Sequence, residues 1–223
     1  MKYFFMHIPK TAGTSLYLLL RKNVNPEEIL AIYGNESKFD EFNDCATLED
    51  VENFPEKYKH KKYFIGHFVY GLHTKLSIPN DECSYITFLR NPVDLAISTH
   101  NQWYRHLNLS DRPDIRHFIN STFEPNIMKR YISGNTTLEN AFKYINTHFI
   151  HIGLVESYRQ SIKNLCIKLD WKDNTEIISN ISDVSIKNTL VIDEILTSTI
   201  KKISSDDQIL YNYYHSHMKL LNY

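Results

Sequence analysis

Glycine and proline are scarce in this chain, six and seven among 223 residues, so each one marks a turn or the edge of an element. Cysteine is scarcer still. Cys45, Cys83 and Cys166 are odd in number, far apart, and form no Cys-x-x-Cys pair. That excludes a disulfide scaffold and a zinc ribbon, and it fits a reducing, cytoplasmic compartment. No apolar run approaches the ~20 residues of a membrane span. The apolar residues from Tyr3 to Ile8 are too few for the core of a secretory signal, and they end at Pro9 rather than at a cleavage site. Neither sign of charge is in excess: 25 basic and 26 acidic residues, spread evenly, leave a net charge of −1. With no basic arm, long-range attraction to nucleic acid or to an anionic membrane is not supported. An anion that binds must be held by a local site.

What is present is the profile of a globular domain with a core of its own: 42% hydrophobic against 23% charged residues. Lys2 to His7 reads as a buried strand ended by Pro9, and Gly13 precedes a helical run from Thr14 to about Lys22. The polar stretch from Pro26 to Lys62 reads as partly helical and outside the central sheet. Strands follow at Tyr63–Ile65, Cys83–Leu89 and Phe149–Val155, with a short one at Glu176–Ile178. Helices fit 93–106, 157–169 and the amphipathic tail 206–221, and residues 107–147 read as helical in pieces. Strands alternating with helices predict an α/β fold with a central, mainly parallel sheet flanked by helices.

The most informative segment is His7-Ile8-Pro9-Lys10-Thr11-Ala12-Gly13-Thr14-Ser15. A strand ends, a tight loop turns, and a helix begins, exposing unpaired amides with a partial positive charge. Such a helix start is an anion site. Gly13 allows close backbone approach, Thr14 and Ser15 add hydroxyls, and Lys10 adds a cation. It is not a Walker A loop, because Lys10 precedes the glycine and no Gly-Lys-Ser/Thr occurs in the chain. An ordinary β-α turn capped by Thr and Ser would use the same residues. A second strand-to-helix passage runs from Leu89-Arg90-Asn91-Pro92 to Ser98. Arg90 ends a strand at the ligand-binding rim of a parallel sheet. A guanidinium and a hydroxyl two turns along the next helix can share a phosphate. Taken alone, an Arg90–Asp94 pair and a Ser98 bonded to its own helix account for the segment better.

Together the two segments resemble the sulfotransferases that use 3′-phosphoadenylyl sulfate (PAPS), especially the carbohydrate O-sulfotransferase family (sulfotransferase family 2). That family has a His-Ile-Pro-Lys-Thr-Gly-Gly-Thr-Ser loop, matched by His7 to Ser15 with Ala12 for the first glycine. It also has a Leu-Arg-x-Pro element with a serine eight residues after the arginine, matched by Leu89 to Pro92 and Ser98. Gly66-His67-Phe68, Ile152 to Glu156 with Ser161, and Asp207 with Leu210-Tyr211 are weaker echoes, so the resemblance runs from Lys2 to about Tyr214. It implies a P-loop-like three-layer fold in a single domain, with 24–62 and 107–147 as acceptor-facing insertions. It implies that Lys10, Thr11, Ala12, Gly13, Thr14 and Ser15 hold the 5′-phosphosulfate of PAPS and that Arg90 and Ser98 hold its 3′-phosphate. Since Ala does not readily take φ > 0, the loop is expected to pass Ala12 in an ordinary conformation. The loop 180–188, with Lys187, is a candidate cover for the nucleotide.

Sulfuryl transfer needs a base for the acceptor hydroxyl and a cation for the leaving oxygen. Lys10 is the candidate cation. His67, beside Gly66 at a strand end, is the candidate base, with an ordinary pKa suited to neutral pH. His73 and His100 are weaker candidates, and His7 is expected to pack or hydrogen-bond beside the loop. His148 with His151, and His215 with His217, bring no carboxylate or cysteine set at a metal-binding spacing, so no metal is expected. The expected activity is transfer from PAPS to a hydroxyl of an acceptor, a neutral or lightly charged glycan first, releasing PAP, the desulfonated product. A nucleotide-dependent phosphotransferase and a non-catalytic PAP- or anion-binding module are the alternatives. Golgi members of the family carry a membrane anchor. This chain begins at its first strand, as expected of a soluble bacterial-type enzyme or of a domain excised at its edge.

Overall fold

The computed structural model describes residues 1–33, 44–172 and 192–220. Six strands follow one another along the chain: β1 (Lys2–Met6), β2 (Ile29–Ile32), β3 (Cys45–Ala46), β4 (Tyr63–Gly66), β5 (Cys83–Leu89) and β6 (Phe149–Leu154). They form one sheet in the order β3-β2-β4-β1-β5-β6, and every pairing is parallel. A parallel sheet is covered on both faces, so its inner strands read as continuous apolar runs. All seven residues of β5 are buried, as are all four of β4.

The two faces are filled differently. Phe5, Ile65 and Ile86 pack with Leu16, Leu19 and Leu20 of the Gly13–Asn23 helix and with Ile162, Leu165 and Cys166 of the Tyr158–Leu169 helix. On the other face Phe4 stacks between Phe64 and Tyr85, with ring centroids 4.7 and 5.0 Å away, because the three are register partners on β1, β4 and β5.

The expectation that 26–62 lies outside the sheet is overturned. Ile29 to Ile32 are all buried, and β2 is inserted between β3 and β4. The basic cluster 57–62 is partly structural for the same reason. Lys61 is buried, and its ammonium donates to the Glu27 carbonyl at 2.8 Å and pairs with Asp44 at 2.7 Å, tying the chain on either side of β2. The expected strand at 176–178 and the loop at 180–188 with Lys187 lie outside the described residues.

By its contacts the chain divides into two compact units. The first comprises Met1–Leu89 and Met128–Ser179 and contains the sheet; the second comprises Arg90–Ile127 and Asn180–Tyr223. The second unit is helical among its described residues. Ala96, Ile97, Ile115, Phe118, Ile119, Leu196 and Ile200 form its core. Asn126 sits at φ 56° and caps the Ser205–Leu220 helix from outside, its Oδ1 accepting from the amides of Asp206 and Asp207 at 3.0 and 3.2 Å. Among the described residues no helix is long and apolar enough to cross a membrane.

Candidate functional site

The loop after β1 is built by two left-handed residues. Lys10 and Ala12 both have φ 67°, so the expectation of an ordinary conformation at Ala12 is overturned. Thr11 lies between them. It is buried, and its amide and hydroxyl both donate to the Ile8 carbonyl, at 3.2 and 2.8 Å. The amide bond closes the turn Ile8-Pro9-Lys10-Thr11, with Pro9 at its second position and positive φ at its third, Lys10. The helix then starts at Gly13, with Leu16 N–H donating to Ala12 O at 3.1 Å. Ala12 offers no side-chain cap and the first turn holds no acidic residue. The helix start therefore keeps the positive end of its dipole uncompensated by a carboxylate of that turn, as an anion site requires. Thr14 is half-buried and Ser15 buried; Thr11 shapes the loop.

The candidate base is assembled by strand register. Met6 pairs with Gly66, and Gly66 pairs with Ile32, so the residue after each strand, His7, Tyr33 and His67, arrives in one row at the carboxyl edge of the sheet. Gly66 makes this possible: a Cβ there would lie 1.8 Å from the Ile32 carbonyl oxygen, and His67 N–H donates to that same oxygen at 2.8 Å. The His67 ring lies against that of His7, tilted by 31° with centroids 4.5 Å apart, and meets Tyr33 edge-on at 4.9 Å and 90°. Its Nδ1 lies 2.7 Å from the His7 carbonyl oxygen. A carbonyl can only accept, so Nδ1 carries the proton and Nε2 carries the lone pair. Burial holds the ring's pKa below the usual histidine value, with the His7 carbonyl bond acting in the opposite sense. His67 is therefore a neutral base at pH 7 with its basic atom defined.

His7 connects this base to the loop. A Cβ on Gly13 would fall 2.0 Å from the His7 ring, so the ring occupies the space that the glycine leaves at the helix start. The His7 pKa is held well below the usual range, first by burial, then by the neighbouring His67 and Lys10. Its Nδ1 lies 3.1 Å from the Tyr33 hydroxyl. Tyr33 was not singled out by sequence.

No family model matches this chain, and no curated protein matches it significantly. Solved structures do. A sulfotransferase from Alicyclobacillus acidocaldarius superposes with a TM-score of 0.50 over 92% of each chain, at 14% identity. The chain shares the fold of that protein, a central parallel sheet flanked by helices. A mouse sulfotransferase complexed with PAP gives a TM-score of 0.44 at 16% identity, covering 86% of this chain and 68% of that one. A retinol dehydratase in a complex with retinol and PAP gives 0.43 at 14% identity, covering 92% and 80%.

Within this fold the remaining sequence candidates fall in two places. Arg90 directly follows β5 and opens the second unit. Asn91 caps the next helix there, its Oδ1 accepting from Val93 N–H at 3.0 Å, and Pro92 takes the first turn. Ser98 is buried on that helix. The first unit brings Gly13, His7, Tyr33 and His67 together; Arg90 and Ser98 belong to the second. His73 and His100 are structural. Both ring nitrogens of His73 are engaged, with the Tyr85 hydroxyl at 2.8 Å and Asn80 Oδ1 at 2.7 Å, and buried His100 donates Nε2–H to the Pro113 carbonyl at 2.8 Å. His148 packs against Tyr70, while His151 is buried in β6 against Phe88.

Proposed function

We propose that the protein transfers a sulfuryl group from PAPS to a hydroxyl of an acceptor, a carbohydrate first, and releases PAP. The observation that carries this reading is the continuity of base and anion loop: His67 is bonded to His7, and the His7 ring fills the space beside Gly13 at the uncapped helix start. In this reading the helix start and Lys10 hold the 5′-phosphosulfate, with Thr11 and Ala12 shaping the loop and Thr14 and Ser15 adding hydroxyls. Arg90 and Ser98 serve the 3′-phosphate. His67 Nε2 takes the proton from the acceptor hydroxyl as the acceptor oxygen bonds to sulfur. The bond from sulfur to the bridging phosphate oxygen breaks, and Lys10 balances the charge left on that oxygen. By analogy with phosphoryl transfer the transition state is loose, so position and charge carry most of the rate.

Segments 24–62 and 107–147 are the acceptor-facing parts in this reading. The presence of Tyr33 beside His67 supports the first of them. A cytoplasmic location is part of this reading, since three widely spaced cysteines with no Cys-x-x-Cys pair suit a reducing compartment.

The test is transfer of labelled sulfate from PAPS to a panel of glycans, lipids and small alcohols, read by mass shift. Lys10→Ala is expected to lower turnover by about 10²–10³-fold, and His67→Ala by about 10²–10⁴-fold. PAP at about 100 times its Kd is expected to stabilise the chain by about 2.7 kcal/mol. Full turnover in His67→Ala removes the base assignment. No thermal shift at saturating PAP removes the nucleotide reading, and Mg²⁺-dependent protection by ATP would favour a phosphotransferase instead.

A further inference from the structure

A histidine base works only if one nitrogen is bare and aimed, and a third group usually fixes which one. In many sites that group is a carboxylate. Here the described groups that perturb these rings are His7, His67 and Lys10 around the histidines, and Tyr17 and Cys45 around Tyr33; none is a carboxylate. What surrounds His67 instead is a backbone carbonyl and a phenol. Tyr33 makes three contacts at once. Its hydroxyl meets His7 Nδ1 at 3.1 Å, its ring meets the His7 ring at 5.7 Å and 73°, and it meets the His67 ring at 4.9 Å and 90°.

We propose that Tyr33 is a positioning residue for the transfer, its hydroxyl fixing the tautomer of His7 and its ring holding His67 with Nε2 as the bare nitrogen. This deepens the reading of His67 as the base and rests on it. The logic is steric and directional. Rotation of the His67 ring would break its Nδ1–H bond to the His7 carbonyl and drive it into the edge-on Tyr33 ring. With the phenol as donor to His7 Nδ1, 3.1 Å away, the His7 hydrogen lies on Nε2, and the face of the same ring covers Gly13 at the helix start. Burial keeps the phenol protonated and able to donate, because it raises the Tyr33 pKa. A neutral His7 also matters to its neighbour. A second imidazolium 4.5 Å from His67 would oppose the charge that His67 must accept during transfer.

The experiment uses the full chain with ¹⁵N-labelled histidine, read by long-range ¹H–¹⁵N correlation at pH 7.5, where the ring nitrogens report their protons directly. His7→Gln and His67→Gln assign the two rings, and unchanged His73 and His100 signals show that a variant is folded. The wild type is expected to show His67 protonated on Nδ1 and His7 protonated on Nε2. In Tyr33→Phe, which keeps the ring and removes the hydroxyl, His7 should shift to a mixture of tautomers. In Tyr33→Leu, His67 should lose its single tautomer as well. A wild-type His67 protonated on Nε2, or an unchanged His67 in Tyr33→Leu, overturns the proposal. The tautomers are read without any acceptor or nucleotide. Tautomers as expected together with a fully active His67→Ala would overturn the base reading while the structural claim about Tyr33 stood.

Discussion

Ala12 has a φ of 67°, which a side chain with a Cβ adopts at a cost. A left-handed non-glycine residue costs roughly 1–2 kcal/mol, while glycine gives back about 0.5–1 kcal/mol of that through its freer unfolded chain. Ala12→Gly is therefore expected to raise stability by up to about 1 kcal/mol, seen as a higher urea midpoint with an unchanged slope. A lower midpoint would mean that Ala12 does not sit in the left-handed region. Lys10 shares the same φ but is not open to the same exchange, because the proposed function assigns its cation to the phosphosulfate. The resemblance to a Gly-Gly loop thus has a physical content at one position. Glycine would relieve strain at residue 12, whereas at residue 13 it is required, because the His7 ring occupies the space of a Cβ.

At the scale of elements, the carboxyl edge of the sheet depends on how closely β2 approaches β4. A Cβ on Gly66 would meet the Ile32 carbonyl oxygen at 1.8 Å, and a backbone atom cannot rotate away. Gly66→Ala must push the two strands apart and break the bond from His67 N–H to Ile32 O. The expected cost is about 3 kcal/mol or more. Gly153→Ala is the control. Its Cβ would meet the Phe88 ring at 2.5 Å, a side chain that can shift, so the loss should be about 1–3 kcal/mol. Urea unfolding of both variants checks the order, and a cheaper Gly66→Ala would mean that β2 is not held at this distance. The same contact explains what sequence reading could and could not reach. β1, β4, β5 and β6 were legible because each is a mainly apolar run followed closely by a proline, a glycine or a charged residue. β2 was not, because its four buried residues follow Pro26-Glu27-Glu28 and lie in a stretch whose polarity dominates any longer window. β3 has only two residues, one of them exposed. Lys10 and His67 were visible as residue types at strand ends. Tyr33 was hidden, because its place beside His67 follows from the β2–β4 register and from nothing local to residue 33.

For the molecule as a whole, the balanced charge hides a sharper dependence on pH. His7, His67, His73 and His151 all have pKa values lowered, in each case chiefly by burial, so the folded chain keeps them neutral where the unfolded chain would protonate them. His151 is the clearest case. It is 4% exposed, its Nε2 has no hydrogen-bond partner among the described residues, and burial, helped by the Lys168 charge, pushes its pKa down to about 3. An unfolded histidine titrates near 6.5. Above that value neither state carries the proton and stability is at its full level. As the pH falls from 6.5 towards 3, the unfolded state takes up a proton that the folded state refuses, and stability declines. The slope for one such group is up to about 1.4 kcal/mol per pH unit, so His151 alone accounts for a loss of about 2 kcal/mol by pH 5. The other three add to it with the same sign. Urea unfolding at pH 7.5, 6.5, 5.8 and 5.0, above the range where most carboxylates titrate, measures the total. His151→Leu is expected to flatten that dependence by up to about 1.4 kcal/mol per pH unit, whatever its own packing does to the level at pH 7.5. Parallel curves for the variant and the wild type would mean that His151 takes up its proton in the folded state, and that the β6 strand opens to water under the Tyr158–Leu169 helix at mild acidity.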